Sequence, residues 1–238
     1  MAVAHDASAE SHAGTTGSAS EAFFDFTITP VGTARGLLVF TFVNANADNA
    51  LSVKIDPTGA NTDVPAVSGG RAVDTATEPG DCKAWFLGAG LPAGAMTIRV
   101  NRTNNANVMY AVAVTVTAAG DTQTYTPGIV LLQEDGTLAE QSVDDGSPGT
   151  NSLRYAGINS GLAAPPAQGT NSTTTQSIDF GARVASLVRE NTAGQGSRSV
   201  GWSTATSDDR AAVHLAVREP PPAAARPPMF VSQYGGRF

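Results

Sequence analysis

Gly36-Leu37-Leu38-Val39-Phe40-Thr41-Phe42-Val43 decides the fold class. The run is almost wholly apolar and rich in β-branched and aromatic side chains. It has no polar alternation, so it predicts a strand covered on both faces. Val108 to Thr117, Val-Met-Tyr-Ala-Val-Ala-Val-Thr-Val-Thr, reads the same way. Around these two lie strands with one wet face. Phe24, Phe26 and Ile28 alternate with Asp25, Thr27 and Thr29, and Leu51, Val53 and Ile55 alternate with Ser52 and Lys54. Met96, Ile98 and Val100 share a face, and Cys82–Leu87 is a further strand. Turn residues separate them: Pro30 and Gly32, Asn44–Asn49, Asp56-Pro57-Thr58-Gly59, Gly88–Gly94 and Asn104-Asn105.

The second half repeats the style. Strands are expected over Leu153–Ile158, Thr173–Phe180, Arg183–Glu190, Val200–Thr204 and Ala211–Arg218, the last with Val213, Leu215 and Val217 inward. No segment keeps an i, i+3, i+4 stripe, because Gly, Pro, Thr and Asn interrupt each Ala-rich candidate. About ten short strands at roughly 8–15-residue spacing make an all-β chain. The expected architecture is an antiparallel β-sandwich, jelly-roll-like, over residues 21–219. Residues 1–20, rich in Ala, Ser, Gly and Thr, are expected to form a flexible leader, ordered only against a partner.

Residues 220–238 leave the fold. Pro220-Pro221-Pro222-Ala223-Ala224-Ala225-Arg226-Pro227-Pro228 cannot join a sheet interior, since proline lacks the donor and fixes φ. The expectation is a stiff, polyproline-like arm. At its end stand Met229, Phe230, Val231, Tyr234, Arg237 and Phe238, an apolar and aromatic tip suited to docking on a neighbouring subunit. A tip folded back on its own domain, or a disordered tail, is the alternative.

The 238 residues include 14 Lys+Arg against 21 Asp+Glu, a net charge of -7, which makes a poor counter-ion for nucleic acid. One cysteine, Cys82, rules out an internal disulfide and a Cys-based zinc site. No apolar run approaches the ~18 residues of a membrane-spanning helix. Met1-Ala2-Val3-Ala4-His5-Asp6 has neither a basic nor an apolar leader segment, so no secretory signal is expected.

The motifs that carry chemistry are missing: there is no G-x-S-x-G elbow and no phosphate loop ending in Lys-Ser/Thr. Gly88, Gly90 and Gly94 join two strands rather than opening a helix, which fits a hairpin connection. His5, His12 and His214 have no metal spacing. Three carboxylate pairs, Glu134-Asp135, Asp144-Asp145 and Asp208-Asp209, sit in Gly-, Ser- or Thr-rich turns, where Asp is expected for turn-making. Trp85, Trp202, Tyr110, Tyr125 and Tyr155 would form a sugar platform if exposed, but the two tryptophans lie in expected strands. Asn101-Arg102-Thr103 and Asn171-Ser172-Thr173 match the glycosylation triplet by chance. No catalytic residue, metal or cofactor is expected.

Phe26-Thr27-Ile28-Thr29-Pro30-Val31-Gly32-Thr33-Ala34-Arg35-Gly36, Ala84-Trp85-Phe86-Leu87-Gly88-Ala89-Gly90-Leu91-Pro92-Ala93-Gly94, Val200-Gly201-Trp202-Ser203 and Ser207-Asp208-Asp209-Arg210-Ala211-Ala212, with Val217-Arg218-Glu219, carry a resemblance. Over about residues 22–219 the chain resembles β-rich virion proteins of tailed bacteriophages and prophages. The resemblance implies a virion context, synthesis in the host bacterial cytoplasm, and no defined activity. The expected role is non-enzymatic: an outer capsid decoration or head-fibre protein, or a tail component. It would oligomerise with itself and attach through its terminal arm to other virion proteins such as the major capsid protein. Nucleic acid and membrane are not expected partners. A carbohydrate-binding module for host attachment is the alternative, and it predicts exposed Trp or Tyr.

Overall fold

The computed structural model describes residues 3–15, 20–30, 35–56, 58–75, 79–88, 91–92, 94–103, 107–117, 121–122, 129–133, 136–145, 151–162, 164–180, 183–203 and 207–218. They form antiparallel strands with no helix among the described residues.

The central sheet contains β1 (Ala4–Gly14), β3 (Arg35–Val43), β6 (Ala66–Asp74), β7 (Gly80–Leu87) and β9 (Met109–Thr117), in the order β1-β9-β3-β7-β6. An outer sheet holds β2 (Phe23–Ile28), β4 (Ala50–Ile55), β5 (Thr62–Val64) and β8 (Met96–Arg102), in the order β2-β8-β4-β5. A third sheet is built on β14 (Ser152–Ser160), β15 (Ser172–Asp179), β16 (Val184–Glu190) and β19 (Arg210–Arg218). It runs β19-β14-β16-β15, with β10 (Asp121–Thr122) and β11 (Ile129–Gln133) both paired to β19. Two short ladders complete the set: β12 (Gly136–Thr137) with β18 (Ser207–Asp208), and β13 (Gln141–Val143) with β17 (Arg198–Val200).

The antiparallel sandwich is present, but it has three layers where a jelly-roll pairs two sheets. The reason lies in the two-faced strands. Along β3, Leu38, Phe40 and Phe42 enter the core shared with the third sheet, where they meet Tyr155, Leu187, Val213 and Leu215. The intervening Leu37, Val39 and Val43 enter the core shared with the outer sheet, alongside Phe26, Val53, Ile98 and Val100. β9 divides likewise, with Val112, Val114 and Val116 to one side and Ala111 and Ala113 to the other. Side chains alternate across a strand, so a run without polar alternation supplies two cores at once. A third cluster covers the far face of the third sheet. Ala156, Ile158, Val188, Ala212 and Ala216 pack under Leu138, Val143, Val200 and Trp202.

The N-terminal stretch corrects its expectation. Ala4–Gly14 is not a free leader but an edge strand paired antiparallel to β9, with a register shift between Asp6 and Glu10. Its small residues give little apolar burial. Ladder hydrogen bonds hold it instead, with the Thr115 hydroxyl donating to Asp6 at 3.1 Å. The turn at Asp56 is as the sequence indicates: its carbonyl accepts from the Gly59 and Asn61 amides, and its carboxylate accepts from the Thr97 amide at 2.9 Å. The arm tip, Met229, Phe230, Val231, Tyr234, Arg237 and Phe238, lies outside the described residues.

Candidate functional site

The outer face of the third sheet carries a polar groove. Glu190 closes β16 on the same face as Val188 and is buried, so its charge needs partners. Arg154, on the neighbouring β14 and fully buried, supplies the first. Its Nη1 donates to Glu190 Oε2 at 3.2 Å, and its backbone amide reaches the same oxygen at 3.3 Å. The rest of the Arg154 guanidinium is occupied by the carbonyls of Val143, Ser152, Gly194 and Gly196, and by Asp145 at 3.5 Å. Asp145 also accepts from the Ser152 hydroxyl at 2.9 Å and the Gly196 amide at 3.1 Å. The network ties the loop after β16 down onto the sheet.

Arg198, opening β17, supplies the second partner of Glu190 by donating from Nε to Oε1. One of its terminal nitrogens donates to the Thr192 carbonyl at 3.0 Å. The other, Nη1, lies against Gly194, where a Cβ would stand 2.7 Å from it. The Arg198 side chain keeps 41% of its surface exposed. With Asn171, Glu190 and Ser199 it lines a groove of about 230 Å³. Asn171 is held by Glu140, whose carboxylate accepts from the Asn171 amide at 2.7 Å, its Nδ2 at 2.8 Å and the Ser172 hydroxyl at 3.0 Å.

Other buried polar groups fasten the layers. Arg183 donates to Asn159 Oδ1 at 2.7 Å and to Asp74 at 3.3 Å, and Asn159 donates on to the Val43 carbonyl at 2.6 Å and the Asp81 carbonyl at 3.1 Å. The third sheet is thereby clamped to the central one. At the β1 edge, His5 bonds the Tyr155 hydroxyl at 2.9 Å and pairs through Nε2 with Glu10. Burial pushes the His5 pKa down, against the opposing pull of Glu10.

Asp81 on β7 carries a pH signature. Burial pushes its pKa from 3.8 up to about 7, outweighing Arg71, whose Nε sits 2.5 Å from Oδ2. Between those two values the folded chain holds a proton that the unfolded chain releases. Asp81 therefore favours folding at acid pH, and this contribution falls away as pH rises toward 7, on the order of 4 kcal/mol in all. His5 works in the opposite sense below its ordinary 6.5, where the unfolded chain gains a proton that the folded chain resists. Asp81→Asn isolates the first effect. The variant is expected to melt above the parent at pH 8, with the gap closing or reversing by pH 4.5. A thermal melt of both proteins across this range checks it.

The residues singled out in the sequence do not converge. His214 is buried with its ring edge-on to Trp202, centroids 5.7 Å apart. His12 lies on β1, and Cys82 is fully buried, as a small apolar residue would be. Asp145 belongs to the Arg154 clamp, the Asp209 carbonyl accepts from Arg183 at 3.4 Å, and Glu134-Asp135 lies outside the described residues. Both tryptophans are core residues: Trp85 donates to the Thr41 hydroxyl at 3.1 Å and Trp202 to that of Ser186 at 3.2 Å. Tyr155 is buried, Tyr110 packs on Phe180 at 5.3 Å, and Tyr125 lies outside the described residues. The described Trp and Tyr therefore build no exposed sugar platform. On the outer sheet, Phe23 is half covered by the Arg99 guanidinium, 3.7 Å from its ring centroid, which Asp25 holds at 2.7 and 2.8 Å. No group of three or more metal-ligating residues occurs among the described residues.

Arg154, Glu190, Arg198 and Ser199 carry no motif, and Asn171 stood out only as a glycosylation triplet. The one local signal is a charged residue, Arg154, between Leu153 and Tyr155 in an otherwise apolar strand. No family model matches the chain, and neither the curated proteins nor the solved structures contain a significant match.

Proposed function

We propose that this chain is a structural protein of a bacteriophage virion, an outer capsid decoration or head-fibre subunit, with a tail position as the variant reading. It works without catalysing a reaction. It assembles with copies of itself and holds to other virion proteins, the major capsid protein among them, through residues 220–238.

The observation that carries the reading is where the buried charges go. Arg154, Arg183, Glu190, Asp74 and Asp145 are engaged with one another and with backbone carbonyls, fastening loops and layers. Such clamps favour a rigid block over a yielding cleft. The resemblance of residues 22–219 to phage virion proteins and the proline-spaced apolar tip support the same reading. An arm adds contact area without enlarging the core, and many weak contacts sum over an assembled shell.

A synthetic peptide spanning residues 220–238 tests the attachment. Added in excess, it is expected to displace the full chain from particles, while a shuffled peptide of the same composition leaves occupancy unchanged. Equal displacement by both, or by neither, overturns the role given to the arm.

A further inference from the structure

The geometry points to the groove over Asn171, Glu190, Arg198 and Ser199 as a binding site for a single carboxylate-bearing sugar unit of the uronate class. The inference goes beyond the assembly role and does not depend on it.

Size comes first. About 230 Å³ lies below the roughly 300–1,000 Å³ of pockets that take drug-sized ligands, so one sugar ring is the scale of occupant. Among the described residues the lining is polar, with no aromatic ring, so stacking is not what the described lining offers. What these residues offer is hydrogen bonding, and the groups present are a guanidinium, a hydroxyl, a carboxamide and the Glu190 carboxylate.

Charge selects the class. The Glu190 carboxylate is already shared by Arg154 and Arg198, so it offers a cation little. Arg198 uses Nε on Glu190 and one N–H on the Thr192 carbonyl, while Nη1 has no hydrogen bond among the described residues. A planar fork with open N–H groups matches a carboxylate. The fork is also held in place from behind. Glu190 fixes Nε, Arg154 fixes Glu190, and the absent side chain of Gly194 lets the guanidinium lie close to the backbone. A preorganised donor loses less entropy on binding than a free surface arginine.

The remaining two groups suit a polyol. The Ser199 hydroxyl has no hydrogen bond among the described residues and can donate or accept. Asn171 is anchored through its backbone amide and Nδ2 to Glu140, so its Oδ1 is left to accept from a ring hydroxyl. An anion alone would use only Arg198; a neutral sugar would use only Asn171 and Ser199.

Titration of the full-length protein with galacturonate, galactose and inorganic phosphate, followed by amide chemical shifts, tests the site. Galacturonate is expected to saturate in the millimolar range, with the shifts gathered around residues 171 and 190–199. Galactose and phosphate are expected to bind at least about tenfold more weakly, since each lacks half of the contacts. Ser199→Ala, which removes a hydroxyl with no partner among the described residues, is expected to weaken galacturonate about two- to fivefold with an unchanged melting temperature. Arg198→Lys keeps the charge facing Glu190 but loses the fork, and is expected to weaken it about tenfold. Absence of saturation, equal binding of galactose or of phosphate, or wild-type affinity in both variants would each overturn the assignment. If Arg198→Lys does not fold, the Ser199→Ala result and the ligand series decide it.

Discussion

Replacing Arg154 with methionine is expected to lower the unfolding free energy by about 3–5 kcal/mol. The stem is conserved in bulk, so the loss is electrostatic. Glu190 keeps Arg198 and the Arg154 backbone amide but loses the guanidinium from Oε2, and Asp145 loses the Arg154 guanidinium. The carbonyls of Val143, Ser152, Gly194 and Gly196 each lose one donor as well, although Ser152 and Gly194 keep their mutual backbone hydrogen bonds. A buried charge left without its partner costs far more than the intact pair contributes, because desolvation is no longer offset. The exposed pair of Lys54 and Asp63, 2.9 Å apart, gives the contrast: Lys54→Ala is expected to cost less than about 1 kcal/mol. Urea denaturation of both variants against the parent measures the difference. Equal, small losses would mean that the Arg154 network does not hold the loop in solution.

Gly157→Ala is expected to destabilise by about 1–3 kcal/mol although only a methyl group is added. Gly157 lies on β14 facing the central sheet. A Cβ there would stand 2.8 Å from Cε1 and 2.9 Å from Cγ of Phe40. Real Cβ contacts do not come so close, and Phe40 is itself packed on Phe42, ring centroids 6.3 Å apart, so the ring has little room to turn. The layers must separate locally or the ring must leave its rotamer. Shortening the opposing side chain tests the cause. Phe40→Leu leaves a cavity on its own, but combined with Gly157→Ala the two costs should fall short of additivity by 0.5 kcal/mol or more, roughly the coupling expected of residues in contact. Strict additivity would show that the two layers do not meet at this point.

The fold was legible where one strand's own pattern encodes its surroundings. The apolar run from Leu37 to Val43 declares two covered faces, and the alternation of Phe24, Phe26 and Ile28 declares one. The third layer was harder to read. On β19, Val213, Leu215 and Val217 mark the inward face plainly, whereas Ala212, His214 and Ala216 look like a wet face and are in fact covered by Trp202 and its neighbours. Small residues carry no strong pattern, so burial against a loop distant in sequence leaves no local trace. The same holds for β1, whose partner β9 lies about a hundred residues away. Its order comes from ladder hydrogen bonds and the His5–Tyr155 contact, and no run within residues 1–20 encodes either.

The groove was the least legible feature. Its charged residues and their support are separated in sequence, Arg154 on β14, Glu190 at the end of β16 and Arg198 on β17, and no motif links them. Sheet pairing brings them together: Tyr155 lies opposite Arg189, which sets Arg154 beside Glu190. Of the carboxylates that did stand out, Asp145 is a member of the Arg154 clamp, Asp208 lies in β18, and Glu134-Asp135 lies outside the described residues.

The proposed role rests on a division of labour, with a self-contained layered body over residues 3–218 and attachment through the segment beyond it. Occupancy of the chain on assembled particles, measured for the full chain and for one ending at Glu219, tests this most directly. The account predicts that the shortened chain keeps the melting temperature of the parent and is lost from particles. Full occupancy by the shortened chain, with an unchanged melt, would contradict it.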